Sequence, residues 1–112
     1  MNVADLRPKP PHQVDFSLYS ASRTPEYSGC YCLTNASGDI LYIGQAASIR
    51  QRLSQHFDSD KRSANTIHGR ISVAWWCEFN EAGISALERG WIESARLCDG
   101  NLPPLNRIGA PI

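Results

Sequence analysis

The chain has 112 residues, of which 42% are hydrophobic and three are tryptophan, so length and composition predict one folded domain and exclude a disordered chain. Its formal net charge is zero, which excludes a strong overall attraction to polyanions. No apolar run reaches the length of a membrane span, and the N-terminus lacks the apolar core of a signal peptide. We therefore expect no membrane contact and a cytoplasmic location.

The charged residues are unevenly distributed along the chain. Residues 45–70 contain five basic and two acidic residues, whereas residues 71–100 contain five acidic and two basic residues. The first segment therefore predicts either a local basic face or an ordinary mixed surface, and charge alone does not separate these two interpretations.

The first 26 residues predict an N-terminal arm that precedes the domain. Three prolines occur before residue 12, and proline fixes one backbone angle and lacks an amide donor, so we expect no regular structure before residue 13. Val14, Phe16 and Leu18 alternate with polar residues, which is compatible with a short strand or with an arm that docks on the domain. We expect residues 27–112 to form the single domain.

A strand, a turn, a second strand and a helix are predicted in immediate succession. Apolar residues favour strands at 29–34 and 40–44, and the loop between them contains Gly38, which tolerates a positive φ. Apolar residues at steps of four then predict a helix over 46–57. These elements form one compact unit on which the rest of the chain is expected to build.

A third strand and a long helix follow a polar connection. Nearly continuous apolar content predicts a strand over 70–79 that is covered on both faces. Asn80 is a suitable cap for a helix that begins at residue 81, and Gly100 is a suitable C-terminal cap. Glu88 falls on the apolar face of this helix, where a carboxylate must be paired, protonated or bound to a cation.

Polar side chains on these elements suit phosphodiester hydrolysis. Tyr31 and Tyr42 occur on the two paired strands at similar depth. Arg52 and His56 are four residues apart, so they share a helix face beside the apolar stripe. A phenol, an arginine, an imidazole and an isolated carboxylate together provide a group that activates water, a stabiliser of phosphate charge and a cation ligand.

Two triplets of this chain resemble the motif of the GIY-YIG nuclease family, namely Gly29-Cys30-Tyr31 and, after ten residues, Tyr42-Ile43-Gly44. That family also carries an arginine followed one turn later by His or Tyr, a glutamate on a later helix, and an asparagine after a Pro-containing segment. The matching residues of this chain are Arg52, His56, Glu88 and Asn106. The resemblance covers residues 29–106, which is most of the chain.

The resemblance implies an α/β (α+β) fold in which helices flank a three-stranded antiparallel sheet. It implies a metal-dependent endonuclease that hydrolyses DNA phosphodiester bonds with one Mg²⁺ or Mn²⁺ per site. Glu88 would bind this cation, since hard cations prefer oxygen ligands. DNA is the implied partner, RNA is not excluded, and a protein partner is a further source of specificity.

The resemblance also implies roles for individual residues. The implied catalytic residues are Tyr31, Tyr42, Arg52, His56 and Glu88. Arg52 would hold the scissile phosphate, and one of the two tyrosines, which the resemblance leaves open, would activate water with His56 as proton partner. The implied substrate-binding residues are Gln45, Arg50 and Asn106, the last of which would also position other groups.

Other functions and roles are compatible with the same residues. One alternative is a nucleic-acid-binding module that keeps the fold with little or no turnover, because Gln45 carries no charge where many relatives have lysine. Another is a regulatory domain that binds protein. For single residues, the structural alternative is a half-buried core role for each tyrosine and an ion pair of Glu88 with Arg52 or Arg89.

Overall fold

The computed structural model describes residues 1–106, which contain four β-strands and three α-helices. The strands are β1 (His12–Asp15), β2 (Gly29–Thr34), β3 (Ile40–Ala46) and β4 (Val73–Glu78). The helices are α1 (Leu18–Ser22), α2 (Ile49–Phe57) and α3 (Ile84–Asp99), and short 3-10 helices cover Val3–Asp5 and Asp60–Ser63. No helix in this part of the chain is long and apolar enough to cross a membrane.

The four strands form one antiparallel sheet in the order β1-β4-β2-β3. The predicted number of three strands is therefore wrong, because β1 pairs with β4 and places Gln13 opposite Trp75. Without β1, the outer edge of β4 would expose a row of unpaired backbone N–H and C=O groups. The mixed α/β class and the antiparallel arrangement are confirmed.

The N-terminal arm packs onto the sheet and its hairpin. Regular structure begins with the 3-10 helix Val3–Asp5, so the expectation of none before residue 13 is wrong. Val3 and Leu6 are buried, and the Val3 amide donates to the Gly38 carbonyl at 2.8 Å. Gly38 has a φ of 89° in the hairpin loop between β2 and β3, as its sequence context predicts. The arm thus adds apolar side chains to the core.

Alternate residues of β2 belong to two hydrophobic cores on opposite faces of the sheet. Tyr31 and Leu33 pack in the core that α2 covers. Cys30 and Cys32 pack in the core that α3 covers. Since β3 is an edge strand, groups from both helices are able to meet beside its end.

Both long helices begin three residues later than predicted, at residues 49 and 84. Ser48 caps α2, because its hydroxyl accepts a hydrogen bond from the Gln51 amide. Asn80 accepts from the Gly83 amide at 2.9 Å, so it closes a turn ahead of α3 instead of capping the helix. Gly100, with a φ of 77°, ends α3 as predicted.

Candidate active site

A cleft of about 370 Å³ opens beside the end of β3. The predicted site residues that line it are Tyr42, Gln45, Arg52 and Glu88. The remaining lining residues are Ala46, Ala47 and Ile84. Tyrosine and glutamine come from β3, arginine from α2 and glutamate from α3, so the tertiary fold brings together groups that are far apart in the sequence.

Arg52 and Glu88 line the same cleft without forming an ion pair. Both side chains are partly buried, and within residues 1–106 neither takes part in a salt bridge or a side-chain hydrogen bond. Burial raises the pKa of Glu88, and the charges of Arg52 and Arg89 partly oppose this shift. The pairing of Glu88 with an arginine is thus absent from the described residues, and its carboxylate is available to a cation.

The two tyrosines lie at different depths. Both lie in the core that α2 covers, but Tyr42 borders the cleft and keeps 6% of its surface exposed, whereas Tyr31 keeps none. The Tyr31 hydroxyl is 2.5 Å from Nε2 of His56, and its ring centroid is 6.1 Å from that of Tyr42. Burial, followed by the neighbouring Tyr42, raises the pKa of Tyr31 well above its usual value. A hydrogen bond therefore joins Tyr31 to the imidazole, and the Tyr42 ring packs beside both.

Gly44 makes room for the ring of Tyr31. It pairs with Tyr31 across the sheet, and a Cβ at this position would lie 2.5 Å from both Cζ and the hydroxyl oxygen of that tyrosine. A glycine is needed here because the phenol approaches the backbone closely. The glycine of the second triplet thus has a direct steric role in the site.

The imidazole of His56 is buried and neutral. Its ring centroid is 4.8 Å from that of Tyr42, and Nδ1 has no hydrogen-bond partner among the described residues. Burial, together with the positive charges of Lys61 and Arg52, lowers the pKa of His56 to about 3. At neutral pH the ring is therefore uncharged.

Gln45 and Asn106 hold elements in place around the cleft. The Oε1 atom of Gln45 accepts from the Ser85 hydroxyl at 3.0 Å, which ties the end of β3 to the start of α3. The Asn106 side chain accepts from the amide of Ile43 and donates to its carbonyl, both at 2.9 Å. Asn106 thus fastens the chain after α3 to β3 and does not line the cleft.

Arg50, like Asn106, is a predicted substrate-binding residue that does not line the cleft. Its Nε donates to the Thr24 carbonyl at 2.7 Å, and one terminal nitrogen is 3.1 Å from the Glu26 carboxylate. These contacts join α2 to the end of the N-terminal arm. The structure does not bring Arg50 to the cleft.

Lys61 belongs to the site region but was absent from the predicted set. Its residue surface is only 8% exposed, and its Nζ lies 5.3 Å from the ring centroid of Tyr42. The basic connection from Lys61 to Arg70 is predicted from the sequence as an addition to substrate contact. The polar sequence of this segment gives no sign that Lys61 is buried against Tyr42.

A divalent cation with few protein ligands fits this cleft. Among the described residues, no group of three His, Cys, Asp or Glu side chains is able to enclose a metal. Mg²⁺ commonly retains several waters and binds through one or two carboxylates, so the single available carboxylate of Glu88 suits it. The donor set excludes a closed structural zinc site, which needs four protein ligands.

The fold and the cleft define a small α/β domain with a polar site at a sheet edge, and comparison with known proteins identifies its family. The family model of the GIY-YIG catalytic domain matches residues 27–97. This chain belongs to the GIY-YIG family. It is 41% identical over 87 residues to UvrABC system protein C of Methanococcoides burtonii, covering 76% of this chain and 14% of that protein.

Further relatives agree with this assignment. UvrABC system protein C of Koribacter versatilis is 29% identical over 84 residues, covering 70% of this chain and 14% of that protein. The chain therefore spans about a seventh of these curated relatives. A solved structure with a similar fold is the GIY-YIG N-terminal endonuclease domain of UvrC from Thermotoga maritima, crystallised with its catalytic divalent cation. Its TM-score against this chain is 0.52 at 24% sequence identity, and the match covers 70% of this chain and 87% of that chain.

These comparisons confirm the predicted family and fold class. The matched family model describes a catalytic domain. The roles of individual site residues, the identity of the cation and the substrate stay predictions.

Proposed function

We propose that this chain is a metal-dependent endonuclease that hydrolyses DNA phosphodiester bonds in the cleft beside β3. The observation that carries this proposal is the meeting of Arg52, Tyr42 and an available Glu88 carboxylate around one cleft. A lone structural arginine or glutamate would form an ion pair there, and within residues 1–106 neither does.

Arg52 binds the scissile phosphate. Its planar guanidinium presents paired N–H donors that match two phosphate oxygens, and a partly buried charge is weakly screened by water. The same contact stabilises the additional negative charge that the phosphate gains as water attacks. In this proposal the amide nitrogen of Gln45, whose oxygen accepts from Ser85, donates a further neutral hydrogen bond to the phosphate.

Glu88 holds the cation. Its carboxylate is half-buried, and this raises the benefit of a positive partner, because an isolated buried carboxylate is costly. Mg²⁺ or Mn²⁺ bound there would supply positive charge that offsets the charge developing on the phosphate. Ile84, one helical turn earlier, gives that side of the cleft an apolar wall.

Tyr42 is the tyrosine that meets water and substrate. It borders the cleft, whereas Tyr31 is enclosed and keeps its proton because its pKa is raised. When Tyr42 takes a proton from the attacking water, its own hydroxyl proton is able to move to Tyr31 while the proton of Tyr31 moves to the neutral His56. Tyr31 and His56 thus act as an internal proton path.

The substrate that we propose for this cleft is a nucleic acid, and its class is DNA. Phosphodiester hydrolysis applies equally to DNA and RNA, and the 2′-hydroxyl is the group by which a protein distinguishes them. We propose DNA as the substrate, with a protein partner as a source of specificity, since residues 1–106 contain no separate base-reading element.

The direct test is cleavage of a panel of linear, nicked, flap and branched DNA, with an RNA arm, in the presence of Mg²⁺ or Mn²⁺. We expect cleavage that EDTA abolishes and that Glu88→Gln reduces by about 100-fold or more, as for loss of other transition-state charge stabilisers. Glu93→Gln is the matched control, because Glu93 is on the same helix, exposed, and paired with Arg96. Salt-dependent DNA binding without cleavage would instead support a binding module.

A further inference from the structure

We propose that Lys61 is a positioning residue of the nuclease site, whose ammonium group holds the Tyr42 ring at the cleft wall and provides a positive charge behind it. The inference rests on the proposed function, because it adds to the same site a positively charged side chain that does not line the cleft. It concerns a residue outside the set that the sequence pattern identifies.

The 3-10 helix Asp60–Ser63 brings Lys61 back toward the site. The Ser59 hydroxyl donates to the His56 carbonyl at 2.8 Å and accepts from the Lys61 amide at 3.2 Å. These bonds fix the backbone turn directly to the last turn of α2. As a result the lysine side chain lies over the ring of Tyr42, with Nζ at 5.3 Å from the ring centroid.

The burial of Lys61 distinguishes it from its neighbour. Lys61 is 8% exposed, and burying a long charged side chain costs both rotamer freedom and hydration. Arg62, the next residue, is exposed and lies 5.0 Å from the ring of Phe57, which is an ordinary surface contact between a cation and an aromatic ring. Burial of a charge against a residue of the cleft wall indicates a role in the site.

A charge at this position acts on Tyr42 and on His56. An ammonium near the phenol favours negative charge that develops on Tyr42 or on a phosphate in the cleft. The groups that face the His56 ring are Tyr31, Tyr42, Arg52 and Lys61. Lys61 and Arg52 are the charged ones, and both disfavour a protonated imidazole. Lys61 therefore keeps the imidazole neutral at rest and also opposes its protonation, so the expected benefit to kcat comes from negative charge that Lys61 stabilises at Tyr42 and the phosphate.

The kinetic test compares Lys61→Met, Lys61→Arg and Arg62→Met in the metal-dependent cleavage assay. We expect Lys61→Met to lower kcat by about 30-fold with little change in KM, the size expected for a desolvated cation beside an aromatic ring. Lys61→Arg should restore most of kcat, and Arg62→Met should match the wild type. A kcat for Lys61→Met that equals the wild-type value would overturn the proposal.

Thermal unfolding separates this role from a structural one. Lys61→Met keeps the apolar stem of the side chain and removes its charge. We therefore expect Lys61→Met to combine a lower kcat with a Tm close to that of the wild type. Lys61→Gln is the second variant. The proposal would be overturned if both variants lost kcat only together with a lower Tm.

A second readout does not depend on cleavage. The His56 ring of the metal-free protein is titrated by NMR in the wild type, Lys61→Met and Arg62→Met. We expect the pKa of His56 to rise in Lys61→Met and to stay unchanged in Arg62→Met. An unchanged His56 titration in Lys61→Met contradicts the inference. If the wild-type chain cleaves no substrate, the proposed function fails and this titration alone decides whether Lys61 acts on the tyrosine–histidine path.

Discussion

The hydroxyl of Tyr31 lies 2.5 Å from Nε2 of His56, and neither side chain reaches solvent. Tyr42, two residues before the glycine that accommodates Tyr31, borders the cleft instead. At the scale of single residues the two tyrosines of the triplets therefore have different surroundings. One meets the substrate side, and the other joins it to a buried imidazole.

Substitution of each tyrosine by phenylalanine should separate these positions. We expect Tyr42→Phe to lower kcat strongly, since Tyr42 lines the cleft, and to cost less stability than Tyr31→Phe, since Tyr42 is less deeply buried. Tyr31→Phe leaves a buried His56 nitrogen without its partner, so the free energy of unfolding should fall by about 1–3 kcal/mol, along with kcat. Urea unfolding and single-turnover cleavage of both variants test this. Equal stability losses would contradict the assigned depths.

His56 should make the fold sensitive to acid. Its pKa is about 3 in the folded protein against an ordinary value of 6.5, so between these values the unfolded chain binds the extra proton. The contribution of His56 to the free energy of unfolding is fully present above pH 6.5. It is lost as the pH decreases toward 3, with a slope of about 1.4 kcal/mol per pH unit. Urea titrations at several pH values measure this slope. His56→Phe should reduce it, whereas substitution of the exposed His68 by Gln should not.

At the scale of elements, the edge strand β3 depends on the chain that follows α3. The Leu105 amide donates to the Leu41 carbonyl at 2.9 Å, and Asn106 bonds both backbone groups of Ile43. These contacts cover an edge that would otherwise expose unpaired backbone groups. They also restrain the strand on both sides of Tyr42.

Loss of this attachment should affect both stability and rate. Asn106→Ala removes two hydrogen bonds to Ile43, and we expect the free energy of unfolding to fall by about 1–2 kcal/mol. Because Ile43 is adjacent to Tyr42, kcat should fall as well. Asn101→Ala, at an exposed position before the attached segment, is the control for urea unfolding and cleavage. An unchanged kcat in Asn106→Ala would show that β3 holds its position without the asparagine.

At the scale of the whole molecule, the first residues of the chain complete the sheet and the core. Strand β1 covers the outer edge of β4, and Val3 and Leu6 are buried against the face that α3 covers. Arg50 and Glu26 join the end of the arm to α2. The arm therefore supports the helix that carries Arg52.

Changes in the arm should destabilise the entire domain. Leu6→Ala removes a fully buried side chain, and we expect a loss of about 2–5 kcal/mol, a large fraction of the roughly 5–15 kcal/mol typical of a domain. Lys9→Ala, at an exposed position of the same arm, should change stability much less. Deletion of residues 1–26 should abolish cooperative unfolding in thermal denaturation. A fully cooperative transition of residues 27–112 alone would show that the arm is dispensable.

The local sequence determined the parts of this protein that depend on neighbouring residues. Strand β2, the hairpin at Gly38 and the common face of Arg52 and His56 follow from spacing and turn chemistry, and the structure confirms the strand and the turn. The ordered set of triplets, arginine and glutamate was sufficient to identify the family. Each of these features depends on residue spacing that is readable along the chain.

Only the tertiary structure decided which groups meet and which are buried. The pairing of β1 with β4, the engagement of Arg50 by the arm and the burial of Lys61 over Tyr42 depend on contacts between distant segments or on chain reversal. The same is true of the different depths of the two tyrosines. Periodicity reports the face on which a side chain lies, whereas packing against other elements sets its depth, its partner and its charge environment.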